Sequence, residues 1–124
     1  MQARAEIRYE AYIKQINIEA KTMIDMASKQ IRPAVVKYAG EVAQTIIAMK
    51  AVGMDTTAQE EILRDINENL KLLHEKLKVL TEETERAGAL QEDNKTQAFF
   101  YRDHVFKAMK ELREPADRLE LLVV

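Results

Sequence analysis

The chain has no cysteine, which removes disulfides, thiolate metal ligands and a cysteine nucleophile from consideration and is compatible with the cytoplasm. Breakers are scarce as well. Only three glycines and two prolines occur in 124 residues, against abundant Ala, Leu, Ile, Met, Glu, Lys and Gln, which are good helix formers. No apolar run approaches the roughly 18 residues of a membrane span. The N-terminal stretch, with Arg4, Glu6, Arg8 and Glu10, lacks the apolar core of a signal peptide. Neither sign of charge dominates: the formal net charge is −2, with acids and bases spread along the chain. There is therefore no basic stripe for a nucleic-acid backbone and no acidic tail. The expectation is a soluble cytoplasmic chain with no nucleic-acid and no membrane partner.

What is present points to one all-α domain. A length of 124 residues supports a single modest core, and 47% hydrophobic with 32% charged residues is too apolar for disorder and ordinary for amphipathic helices. Punctuation divides the chain into three long helices, about 3–52, 56–88 and 93–123. Gly53 can take the left-handed conformation that ends a helix, and Asp55, Thr56 and Thr57 follow as candidate N-caps. Thr57-Ala58-Gln59-Glu60 has the spacing of a capping box. Helix two repeats at alternating spacings of three and four through Leu63, Ile66, Leu70, Leu73, Leu77 and Leu80, continued by Thr84 and Ala87, as in a coiled-coil seam. Ala87-Gly88 closes it, and Asp93 or Asn94 can cap helix three. That helix carries Val105, Met109, Leu112, Ala116, Leu119 and Val123, with Phe99 and Phe106 a heptad apart beside them. Pro115 predicts a kink or break near Glu114.

Helix one has its own stripe: Ile13, Ile16, Ala20, Met23, Ala27 and Ile31, then Val35, Tyr38, Val42, Ile46 and Met49. At 1.5 Å per residue it would extend about 75 Å, against about 45 Å for each of the others. Pro33 falls between its halves, and an interior proline costs about 3 kcal/mol, so a bend is expected there. Short connections predict an antiparallel up-down-up bundle of the second half of helix one with helices two and three. On that reading Ala3 to Gln30 is surplus. It could run straight on, fold back as a fourth short helix, or exchange between copies as a swapped arm.

Side chains capable of chemistry are few. His74 and His104 sit at seam edges, and no Glu-x-x-His pair or second His a turn away accompanies either, so di-iron and zincin patterns are absent. The glycines are isolated, and Gly53 is followed by Met54-Asp55 where a phosphate loop needs Lys-Ser/Thr. Glu10 with Lys14, Asp25 with Lys29 and Glu82 with Arg86 have the order and spacing of ion pairs on exposed helix faces. Glu19, between Ile16 and Met23 on the apolar side, needs either a partner or an outward rotamer. Met23, Met26, Met49, Met54 and Met109 suit gap-filling in a core more readily than an adaptable binding surface.

The stretch from Tyr12 to Ala27, continuing through Gln30-Ile31-Arg32-Pro33-Ala34 to Tyr38, resembles the C-terminal helical region of type III glutamine synthetases. So do Glu92-Asp93-Asn94-Lys95-Thr96-Gln97-Ala98, Leu112-Arg113 and Ala116-Asp117-Arg118-Leu119-Glu120. The resemblance covers essentially the whole chain. In that family the segment follows a larger region that handles ATP, divalent metal (Mg or Mn), glutamate and ammonia, and none of its catalytic or metal-binding residues falls at these positions. The family pattern also implies an acidic residue and an aromatic tail with Trp-Pro beyond Leu122-Val123, where this chain stops at Val124. The chain thus reads as a domain excised from a larger enzyme.

The resemblance implies a parent that ligates ammonia to glutamate with ATP hydrolysis, as a large cytoplasmic homo-oligomer. No catalysis and no cofactor are expected of this chain itself. Its expected role is structural, packing against the upstream catalytic domain and neighbouring subunits, with Ile13, Ile16, Glu19, Met23, Ile24 and Ile31 as the candidate interface. The alternative is a stand-alone helical module that binds a partner helix along the Leu63–Leu80 seam. That reading fails if the seam is buried within the chain.

Overall fold

The computed structural model describes residues 2–123, with side chains from Arg8 onward. Among these residues every element is helical and there is no strand. Helix one is continuous. It comprises an α segment Gln2–Met26, a π turn Ala27–Ile31 and a second α segment Arg32–Ala51. Helix two is Thr57–Ala89. Helix three comprises Asn94–Phe100, a second π turn Tyr101–Phe106, and Lys107–Leu122. Neither the fourth short helix nor a fold-back at Pro33 is present.

The π turn explains how an unbroken helix accommodates Pro33. A proline ring clashes with the carbonyl four residues earlier, here that of Lys29, and this carbonyl lies inside the widened turn, closed by the Arg32 N–H donating to the Ala27 carbonyl. The turn also keeps the stripe in register. Ile16, Ala20 and Ala27 are buried in the first half, Val35 and Ile46 in the second. The step from Ala27 to Val35 is eight residues, which in a regular α-helix overshoots two turns by about 80°. One i→i+5 turn takes up the extra residue, so both halves bury the same face.

At Gly53 the backbone is left-handed, with φ +77°. The Met54 N–H donates to the Met49 carbonyl (3.0 Å) and the Gly53 N–H to the Lys50 carbonyl (3.1 Å), a Schellman closure. The capping box expected at Thr57 does not form. Asp55 Oδ1 instead accepts from the Thr57 N–H and hydroxyl (3.2 and 2.7 Å), while the Glu60 carboxylate pairs with Lys50 Nζ at 2.8 Å. A cross-turn cation outcompetes the helix's own N–H for that carboxylate. At helix three the expected cap is present, with Asp93 Oδ1 accepting from the Thr96 N–H at 3.0 Å. The break expected near Glu114 is absent: Lys107–Leu122 is unbroken and Pro115 is fully buried. Packing of its ring in the core compensates the missing backbone hydrogen bond.

Cross-helix pairs order the layers. Lys50 meets Glu60 and Arg32 meets His74, so residue numbers rise along helix two as they fall along helix one. Lys76 meets Glu111 at 3.5 Å and Glu83 faces His104 at 3.6 Å, the same relation between helices two and three. Asn94 Nδ2 donates to Glu10 Oε1 at 3.2 Å, and Leu119 and Val123 line a groove with Ile31 and Val35. Helix three therefore lies beside helix one from Glu10 to Val35. This reverses the expected assignment of the surplus. The first half of helix one is the half with two neighbours, and Ile16, Ala20 and Ala27 belong to the same core as Leu73, Leu80, Val105 and Leu112. Past Val35 the second half pairs with the start of helix two as a two-layer hairpin. Helix lengths alone do not fix this arrangement, because they leave open which end of helix one helix three lies against after its short connection from helix two.

Candidate functional site

The six side chains expected at an interface divide by depth. Ile16 is buried, and Ile13, Met23, Ile24 and Ile31 pack against the chain's own core. Glu19 takes the outward rotamer, exposed, with Gln15 Nε2 at 3.4 Å. The helix-two seam lies inside as well: Ile66, Leu73, Leu77 and Leu80 are buried, and Leu63 and Leu70 are half-buried. It is thus occupied by the chain's own helices one and three, which removes the premise of a free partner-binding seam.

Ionisable groups are spread over the surface. Asp25 and Lys29 pair at 2.9 Å as their spacing predicts. Arg86 pairs with Glu83 at 3.2 Å where Glu82 was expected, because Glu83 turns toward helix three and presents Oε1 to the guanidinium. Glu10 accepts from Asn94 where Lys14 was expected. His104 is half-exposed, stacked on Phe100 at 4.2 Å between centroids, with Nδ1 3.6 Å from Glu83. Glu83 Oε2 is buried without a hydrogen-bond partner. His74 is exposed, with Arg32 Nη1 at 3.5 Å from its Nδ1. Among the described residues no three side chains converge as a metal site would require.

Sequence reasoning missed one polar cluster, where helix three starts against helix one. Arg102 Nε donates to Asp103 Oδ1 at 2.9 Å, and the guanidinium lies 4.6 Å from the centre of the Phe99 ring, which meets Tyr9 edge-on at 6.1 Å. The Arg102 hydrogen bond holds the Asp103 carboxyl below its ordinary value, and that bond in turn raises Arg102. Burial raises the Tyr12 hydroxyl, a shift that the nearby Arg102 opposes, and burial alone raises Tyr101. The arrangement ties two helices together. It contains no nucleophile set against a base, the pairing that acyl or group transfer requires.

The second missed feature is apolar. Val36, Ile47, Val52, Met54 and Ile62 are exposed on the two-layer hairpin, Ile47 by 69% and Val52 by 75%. The sequence signal was available: Val36, Gly40, Ala43 and Ile47 stand at i, i+4, i+7 and i+11, a second stripe offset from the core stripe.

Comparison with known proteins adds what the side chains leave open. Residues 1–50 match the family model described as "Glutamine synthetase C-terminal domain". Over 123 residues, 98% of its length, the chain is 30% identical to a glutamine synthetase of Butyrivibrio fibrisolvens. Over 124 residues it is 23% identical to a glutamine synthetase of Bacteroides fragilis (strain YCH46). The chain spans 17% of the length of each of these curated relatives. No described helix is long and apolar enough to cross a membrane. By sequence, then, the chain is similar to glutamine synthetases along nearly all of its length, and to their C-terminal domain along helix one as far as Lys50.

Proposed function

We propose that this chain is the C-terminal helical domain of a type III glutamine synthetase, working as an antiparallel three-helix unit that holds the assembled enzyme together and performs no catalysis itself. The reaction would belong to the rest of the polypeptide: ATP-dependent ligation of ammonia to glutamate, with Mg or Mn, in a cytoplasmic homo-oligomer. The observation that carries the reading is the similarity to two glutamine synthetases over nearly the whole chain, at a small share of their length. The scatter of ionisable side chains supports a non-catalytic role, since Arg102 pairs with its neighbour Asp103, Glu83 faces His104 across two helices, and no three His, Asp or Glu side chains converge among the described residues.

The test removes residues 1–124 from the full enzyme and measures particle mass and synthetase activity. A smaller particle with reduced activity is expected, and an intact, fully active oligomer overturns the reading. In parallel, the isolated chain given ATP, glutamate and ammonia should form no glutamine. Turnover by the fragment would show that the assignment of chemistry to the rest of the polypeptide is wrong.

A further inference from the structure

We infer that the groove between the first half of helix one and the second half of helix two, bordered by Tyr101 of helix three, binds a free amino acid by its charged head, the ammonium against helix two and the carboxylate against helix one. The site stands on the geometry of the chain itself and goes beyond its reading as a structural domain. The groove has a volume of about 600 Å³, within the range of small-molecule sites.

Its two walls differ in what they offer. On helix two the Thr81 and Thr84 hydroxyls donate to the Leu77 and Leu80 carbonyls at 2.8 and 2.7 Å, which leaves their oxygens as acceptors. Glu85 adds a carboxylate to that wall, and Gln97, whose Nε2 donates to the Leu90 carbonyl at 3.0 Å, keeps its Oε1 free to accept. Helix one brings the Lys21 ammonium and the Asn17 amide, four residues apart and so on one face. Lys21 and Glu85 line the same groove, yet neither enters an ion pair among the described residues. A molecule with a cation at one end and an anion at the other complements both walls. An anion or a cation alone satisfies one wall and is repelled by the other.

Tyr101 is the second observation. Its side chain borders the groove with only 3% of the residue exposed, and its hydroxyl makes no hydrogen bond among the described residues. A hydroxyl left in that state is costly, and a ligand carboxylate beside Lys21 would accept from it. The residue opens the second π turn, a backbone irregularity that recurs at functional sites. Gly88 keeps the groove open, since nothing lies within 4 Å of where its Cβ would stand.

The experiment titrates L-alanine into the 124-residue chain, whose three helices share one core, and follows the backbone amides by NMR. Shifts that saturate at millimolar concentration are expected, confined to residues 17–24, 81–88 and 97–101. Acetate and ethylammonium, the two halves of the ligand, should each bind about tenfold more weakly. Tyr101→Phe removes the hydroxyl alone and should weaken alanine about fivefold. Gly88→Leu fills the groove without removing a polar group and should abolish the shifts, while the melting temperature holds because a helix former replaces a glycine. Shifts that rise linearly without saturating, acetate binding as tightly as alanine, or unchanged binding by either variant overturns the inference.

Discussion

Asp93 shows how much one side chain can settle. Its carboxylate accepts the Thr96 N–H at the start of helix three, satisfying a donor that no helix can satisfy from within. The hydrogen bonds from Thr96 hold its pKa below the ordinary value. A carboxyl lowered in the folded state contributes stability above its unfolded pKa and loses it as the pH falls through the folded one. Asp93→Ala should therefore lower the melting temperature at neutral pH, and the gap from the wild type should close as the medium is acidified through the carboxylate range. Asp93→Asn should keep most of the cap while removing this part of the pH dependence. Melting curves of the three proteins between neutral and acid pH check the point, and a gap that does not change with pH contradicts it. This cap was readable in the sequence because it needs only an acceptor in the right place. The Thr57 box was misread because Lys50, brought across the turn by the Schellman closure, competes for Glu60. Local spacing carries no information about a partner from the other helix.

At the scale of the element, helix one is a register problem solved by one extra residue. Met23, Ala27, Ile31 and Val35 follow one another at three consecutive spacings of four, where a seam of constant face would alternate fours with threes. The stripe was legible and so was the proline, but the widened turn that reconciles them was not. A pattern of fours shows that the face drifts, and cannot say whether the backbone bends or takes up a residue. The π turn makes a specific prediction. In a Pro33→Ala background, deleting Lys29 shortens the step from Ala27 to the next core position from eight residues to seven, restoring a regular helix with both faces aligned. That variant should melt at or above the temperature of Pro33→Ala alone. Deleting Gln44, also exposed but in a regular segment, would rotate Ile46 and Met49 by about 100° away from helix two and lower the melting temperature sharply. Equal damage from the two deletions, followed by circular dichroism, would show that the turn does not absorb register.

For the whole molecule, the consequence is uneven stability along one rigid axis. Ile66, Leu73, Leu80, Val105, Leu112 and Leu119 are the largest fully buried aliphatic side chains. All belong to one core cluster drawn from three helices. Past Val35 the hairpin buries Ile46 and Thr56 and exposes Ile47, Val52, Met54 and Ile62. Local opening follows the number of buried apolar contacts, so backbone hydrogens should exchange in two classes. In the isolated chain, amides of residues 40–62 should exchange at least tenfold faster than those of residues 70–84 and 105–119, although all belong to regular helices. The three-layer part holds the long axis, and the hairpin waits at its end as the less stable piece. Hydrogen exchange of the isolated chain, read by mass spectrometry, separates this from a hairpin that is stable by itself, for which residues 40–62 would be as protected as residues 70–84 and 105–119.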